Sequence, residues 1–278
     1  MTNITVITTF HKPGMALYGQ RFINSFADKV DKKIKLVVYA EDCLPTNPDQ
    51  DQITILNAKE VLPKLSKFKE KWKDIPKANG KCPWPERRPK DFHKEFKWDA
   101  VRFANKVYAV FDACTKGDDW VVWMDADSFI HTTWNYNDWL EILPQTSWIT
   151  YVGRGAGSQS WPECGFYGLN LYDPTCKEFL KEFERMYEDA EHGIFKLDEW
   201  HDSFVFGKIL NSLKVKHPNV IDYTAELSLI GAKSGGGGHP LINSKLGKWM
   251  DHMKGDRKTL GKSKKTDVVV QHKNSYWQ

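Results

Sequence analysis

Five consecutive apolar residues, Trp120-Val121-Val122-Trp123-Met124, run directly into Asp125-Ala126-Asp127. The run is too short for a helix and too apolar for a surface segment, so it reads as a buried strand delivering acid to its C-terminal end. Side chains at i and i+2 share one face of a strand, so Asp125 and Asp127 converge and need positive charge beside them. A divalent cation supplies it. Carboxylate oxygens select a hard ion, Mg²⁺ or Mn²⁺, whose remaining positions are filled by water and substrate phosphates. The same residues also fit a plain strand end with a capped turn, and so short a pattern does not decide between the two.

The surroundings narrow the choice. Ile4 to Phe10 is rich in β-branched residues and stops at His11-Lys12-Pro13-Gly14, which predicts a strand and a turn. Leu17, Phe22, Ile23, Phe26 and Val30 recur near helical period over 15–30, and Ile34 to Ala40 predicts the next strand. This is a parallel βαβ unit, whose ligands bind beyond the strand C-termini, so Thr8, Thr9, Phe10 and His11 are candidate contacts. A third strand is expected over 52–56. A helix over 95–114, carrying Arg102 and Lys106, should lead through Gly117-Asp118-Asp119 to the acid-bearing strand. Strands at 148–152 and 166–172 and a helix begun by Asp173-Pro174 complete the core pattern. Gly153 to Ser158 is too irregular for a phosphate loop and lacks the Lys-Ser/Thr of one. Leu197 to Phe206 gathers Asp198, Glu199, His201 and Asp202 at the expected start of another helix, a second site candidate. The expected fold is α/β, a mixed but mostly parallel sheet flanked by helices, in one domain spanning 1–278.

Residues 63–92 break the pattern with five prolines and read as a basic insertion of short helix and loop. From Lys59 to Lys97 there are thirteen Lys/Arg against six Asp/Glu, a net charge near +7 in a chain whose total is +4. Phe68, Trp72, Trp84, Phe92 and Phe96 are interleaved with them, and the tail 245–273 is basic again. Cations with interspersed aromatics suit nucleic acid, although most charge runs are simply solvated. Gly235 to Gly238 reads as a mobile loop. The five cysteines are widely spaced and the N-terminus has neither a basic nor a long apolar segment, so a soluble, cytoplasmic protein without a membrane span is expected.

Two separated features combine: Asp125-Ala126-Asp127 after a βαβ unit, and His252-Met253-Lys254-Gly255-Asp256-Arg257-Lys258, an H-x-x-G-x-x-K. Together they resemble the glycogenin and galactinol-synthase group of GT-A glycosyltransferases, retaining enzymes that use nucleotide-diphosphate sugars and Mn²⁺. The resemblance implies a GT-A, Rossmann-like fold with Asp125, Asp127 and His252 as metal ligands, and Gly255 and Lys258 on the diphosphate. It places Ala126 against the donor and a UDP-sugar as the favoured donor, with residues 235–278 closing the site. Phe166 to Asn170 stands where the family has an Asn-Ala-Gly strand, which nominates Asn170 for the donor. His201 and Asp202 fall where the family has an Asp-Gln pair near the sugar and are the catalytic candidates. The resemblance also implies that Arg102 and Lys106, upstream of the strand, could reach the phosphates or the sugar. Lys258 is followed by Thr259-Leu260 rather than the family's Pro-Trp, and the insertion at 63–92 is foreign to it.

The expected activity is a hexosyl or pentosyl transfer to a hydroxyl. A 5-hydroxymethylated pyrimidine in DNA, reached through 59–97 and 245–273, is the specific acceptor expected, and a protein or saccharide hydroxyl the alternative. A haloacid-dehalogenase-like phosphatase also carries a strand-end D-x-D, but near its domain's N-terminus. A binding module with decayed catalytic apparatus would not need His252, Gly255 and Lys258 intact.

Overall fold

The computed structural model describes residues 1–84, 95–116, 119–155, 161–225, 227 and 239–278. Phe92, Gly117, Asp118, residues 156–158 and the glycine run 235–238 lie outside the described residues. Seven strands form one sheet: β1 (Ile4–Phe10), β2 (Ile34–Ala40), β3 (Ile53–Asn57), β4 (Trp120–Met124), β6 (Ile149–Tyr151), β7 (Phe166–Asn170) and β8 (Val220–Asp222), in the order β3-β2-β1-β4-β7-β6-β8. The pairs β1–β2, β2–β3, β1–β4 and β6–β8 are parallel, and β7 runs antiparallel to both β4 and β6. The fold is mixed α/β with a mostly parallel sheet flanked by helices, as expected.

β4 is central, and all five of its residues are buried, which is why its sequence shows no polar alternation. Val121 and Trp123 join the core under the helix Ala100–Cys114, while Trp120, Val122 and Met124 join the core under the helix Gln20–Lys29. That second helix begins earlier than predicted, through a short helical turn at Lys12–Gly14 and a π-helical segment at Met15–Gly19. Sheet order reverses between β1 and β4, the crevice where parallel sheets bind ligands.

Two expectations need correction. The first part of the basic insertion is a core layer: Leu65, Phe68 and Trp72 are buried on the inner face of the helix Pro63–Trp72. The Phe68 ring lies 5.8 Å from both Tyr108 and Tyr187. The exposed Lys64 and Lys71 pair with Glu184 at 2.7 Å and Glu191 at 3.5 Å, and the half-buried Lys69 donates to Asn105 Oδ1 at 3.0 Å. The basic tail is likewise paired, Lys245 with Glu141 at 3.2 Å and Arg257 with Asp267 at 2.5 Å. The second correction concerns Asn170. Because β7 opposes β4, Trp120 faces Asn170 and Met124 faces Phe166, so Asn170 lies at the end of the sheet away from Asp125. Its side-chain amide donates to the carbonyls of Gln145 and Ser147.

A separate two-stranded ribbon was not anticipated. β5 (Ser128–Ile130) pairs antiparallel with β9 (Met250–His252), setting Ser128 opposite His252. Arg21 fastens the following segment, its guanidinium 3.9 Å over the Phe129 ring and its Nη1 donating to the Gly261 carbonyl at 2.5 Å. Among the described residues no helix is long and apolar enough to cross a membrane.

Candidate active site

The ribbon delivers His252 to the two aspartates that end β4. One ligand atom from each of Asp125, Asp127 and His252 lies within 4.8 Å of the others. The imidazole Nε2 is 3.2 Å from Asp127 Oδ1 and 3.5 Å from Asp125 Oδ2. Nε2 has these two carboxylates beside it, whereas the buried Nδ1 has no hydrogen-bond partner, which costs stability unless something else binds it. Burial alone would lower the His252 pKa, but Asp127 and Asp125 outweigh it and push it up to about 9. With no metal between them, a proton on the imidazole would balance part of the carboxylates' charge. Two carboxylates and one imidazole also fit a hard divalent ion with open positions.

Room for the ring comes from Gly165, where a Cβ would lie 2.6 Å from His252 Cε1. The Gly165 carbonyl accepts from the Asp125 amide at 2.9 Å, so the incoming end of β7 supports both ligands.

Lys106 is buried on the other side. Its Nζ is 3.2 Å from Asp125 Oδ1 and 2.8 Å from Asp202 Oδ2, and it donates to the Cys164 carbonyl. Burial would lower its pKa, yet Asp125 and Asp202 together hold it well above the usual lysine range. Asp125 is held in turn below the usual carboxylate range: burial opposes this, and Lys106, His252 and Trp123 prevail. Trp123 Nε1 donates to Asp125 Oδ1 at 2.7 Å. On the outer side Lys258 Nζ approaches Asp127 Oδ2 to 2.9 Å.

A cavity of about 280 Å³ opens at this point, in the crevice between β1 and β4. Thr9, Phe10, His11, Arg102, Lys106, Ala126 and Lys258 line it together with Asp125 and Asp127. Thr8 does not: it is fully buried within the sheet. His201 and Asp202 are buried behind the cavity, His201 against Glu199 at 3.0 Å and Asp202 against Lys106. Gly255 adopts φ 62°, and a Cβ there would meet nothing within 4 Å, so only its backbone conformation favours glycine.

Sequence reasoning missed several lining residues, among them Tyr18, Glu41, Phe103 and Asn105. Glu41 directly follows β2, where doubly wound folds place an acid for a ribose, and that position was a usable signal. Burial raises its pKa, against the opposing influence of Lys69 and His11. Burial, Asp127 and Asp125 push the Tyr18 phenol up to about 12. Behind His252, the buried Glu163 meets Lys254 at 2.5 Å and Arg154 at 3.1 Å. Burial would raise the Glu163 pKa, but Lys254, His252 and Arg154 bring it down to about 2. A larger hollow of about 860 Å³ between Tyr223 and His272 contains none of these groups.

No family model matches the chain, and no curated protein matches it. Among solved structures it is similar to mouse xyloside xylosyltransferase 1 in its apo form, at 12% identity and a TM-score of 0.44, over 78% of this chain and 83% of that one. It is also similar to the apo WbbM bifunctional glycosyltransferase, at 11% identity and a TM-score of 0.43, over 80% of this chain and 38% of that one. The chain therefore spans well under half the length of the second.

Proposed function

We propose that the chain is a metal-dependent glycosyltransferase of GT-A type that moves a sugar from a nucleotide diphosphate to a hydroxyl. The observation carrying this is the cluster of Asp125, Asp127 and His252, whose two aspartates line a cavity together with Lys258. Asp125, Asp127 and His252 would hold Mn²⁺ or Mg²⁺, which when bound supplies Lewis acidity at the diphosphate. Lys258 neutralises the charge that grows on the departing β-phosphate oxygen, and the segment carrying it closes the donor site. Thr9, Phe10, His11 and Glu41 receive the nucleoside, Glu41 accepting from a ribose hydroxyl. UDP is the favoured nucleotide. Arg102 is exposed at the cavity mouth, available to the sugar or the diphosphate.

In the transfer, the bond from anomeric carbon to β-phosphate oxygen breaks and a bond to the acceptor oxygen forms. The hydroxyl proton leaves with the diphosphate or to water, and the outcome is retention. Asp202 and His201 do not line the cavity, so they act as positioning residues. Asp202 fixes Lys106, which fixes Asp125.

For the acceptor we read a 5-hydroxymethylated pyrimidine in DNA, on the net charge near +7 of residues 59–97. A saccharide or protein hydroxyl is the second reading, favoured by the pairing of Lys64, Lys71 and Lys245 with carboxylates. A panel of nucleotide sugars with Mn²⁺, scored for release of nucleoside diphosphate, tests the donor side. No turnover and no metal-dependent nucleotide binding would overturn the reading. Mass analysis of nucleosides from treated DNA containing 5-hydroxymethylcytosine or 5-hydroxymethyluracil tests the acceptor.

A further inference from the structure

Of the aromatics that the sequence offered for nucleic acid, Phe68 and Trp72 are spent on the core, but Phe96 faces outward beside the cavity with three rings the sequence did not single out. Phe96, Phe103, Trp161 and Phe204 surround the buried His201 ring, with centroids 5.3, 5.9, 5.0 and 6.2 Å from it. Phe96 is 51% exposed, and the other three are half-buried. Phe103 also lines the cavity that contains Asp125, so this wall begins where the metal-binding cluster ends.

Its rim is cationic. Arg102 lies 5.7 Å over Phe103, and the exposed Lys208 lies 5.4 Å over Phe204. At the far side Arg154 Nε donates to the Trp161 carbonyl at 3.3 Å, and Arg154 and Lys254 share the single carboxylate of Glu163. Two cations on one acid leave net positive charge there, whereas Lys97 over Trp161 is balanced by Glu199. Stacking rings framed by excess cations complement a chain of planar bases carrying phosphates, and a neutral saccharide would draw nothing from the rim.

We propose that this wall is the acceptor subsite and that its occupant is an unpaired nucleotide of a DNA strand. The base stacks on the rings, and the flanking phosphates meet Arg102 and Lys208 on one side and Arg154 and Lys254 on the other. The assignment rests on the transferase reading and gives its acceptor a subsite.

The test is fluorescence anisotropy with a labelled single-stranded DNA oligonucleotide over a salt series, alongside calorimetry of UDP with Mn²⁺ on the same samples. Phe96→Leu and Trp161→Leu should each weaken oligonucleotide binding about tenfold while UDP still binds. Phe96 is exposed, so its replacement does not threaten the fold. Lys208→Gln should flatten the slope of log affinity against log salt by about 0.7–1. The assignment is overturned if the unaltered chain binds UDP but no oligonucleotide, if both ring variants bind DNA as the unaltered chain does, or if the wall binds a neutral oligosaccharide instead. Failure of the unaltered chain to bind UDP with Mn²⁺ would remove the transferase reading, and this assignment with it.

Discussion

A Cβ at residue 165 would lie 2.6 Å from Cε1 of His252, so the imidazole occupies space that only glycine leaves open. Gly165→Ala should push the ring away from Asp125 and Asp127. Overpacking of this kind costs about 1–3 kcal/mol, so the variant should still fold. Calorimetry should show metal-dependent UDP binding weakened at least ~10-fold, the equivalent of about 1.4 kcal/mol, with a cooperative melt retained. Undiminished binding would mean that His252 is not a ligand.

Replacing a ligand outright should be more severe. Asp125→Ala, Asp127→Ala and His252→Ala each remove a group that the nucleotide diphosphate cannot replace, and each should abolish Mn²⁺-dependent UDP binding. If all three variants bound UDP as well as the unaltered chain, the metal site would lie elsewhere.

Lys258→Ala should spare the metal and weaken the diphosphate. Loss of one charge-assisted hydrogen bond costs about 1.5–3 kcal/mol. UDP affinity in saturating Mn²⁺ should fall accordingly, and uridine affinity should not change.

Lys106→Met probes the buried network instead. It would leave Asp125 and Asp202 without the cation they share, and breaking a buried pair from one side costs about 3–5 kcal/mol. Urea unfolding of the metal-free protein should register a loss of that size. A midpoint unchanged from the parent would show that the contacts carry no stability.

A pH effect follows from His131, whose ring stacks on Tyr276 at 4.0 Å with the planes 5° apart. Burial depresses its pKa from 6.5 to about 4, with Asp251 opposing and His272 assisting. Between those values the unfolded chain binds the proton and the folded chain does not. The stabilisation is therefore complete above pH 6.5 and is lost progressively as the pH falls to about 4. Melting temperatures across this range should fall, and less steeply in His131→Asn.

What could be read in the sequence followed physical signal strength. β1, β2 and β4 were legible because their apolar runs end in unmistakable turn or acidic residues. A short helix was expected within 63–92, but the burial of the helix Pro63–Trp72 was not legible, because its lysines dominate the composition, although Leu65, Phe68 and Trp72 keep helical spacing. Asn170 was misplaced because strand direction leaves no trace in a short apolar run. A parallel β7 would have brought its C-terminal residue to Asp125; the antiparallel one brings Gly165. The pairing of β5 with β9 was also invisible, since three-residue strands have no periodicity to detect.

That ribbon sets an order of events during synthesis. The last strand of the seven-stranded sheet ends at Asp222, and His252 follows it in the chain. His252 joins the two aspartates only through the pairing of β9 with β5, so a chain interrupted before Met250 lacks the third member of the cluster. If the triad holds a metal, metal binding by stalled nascent chains should appear in a single step once translation has passed His252.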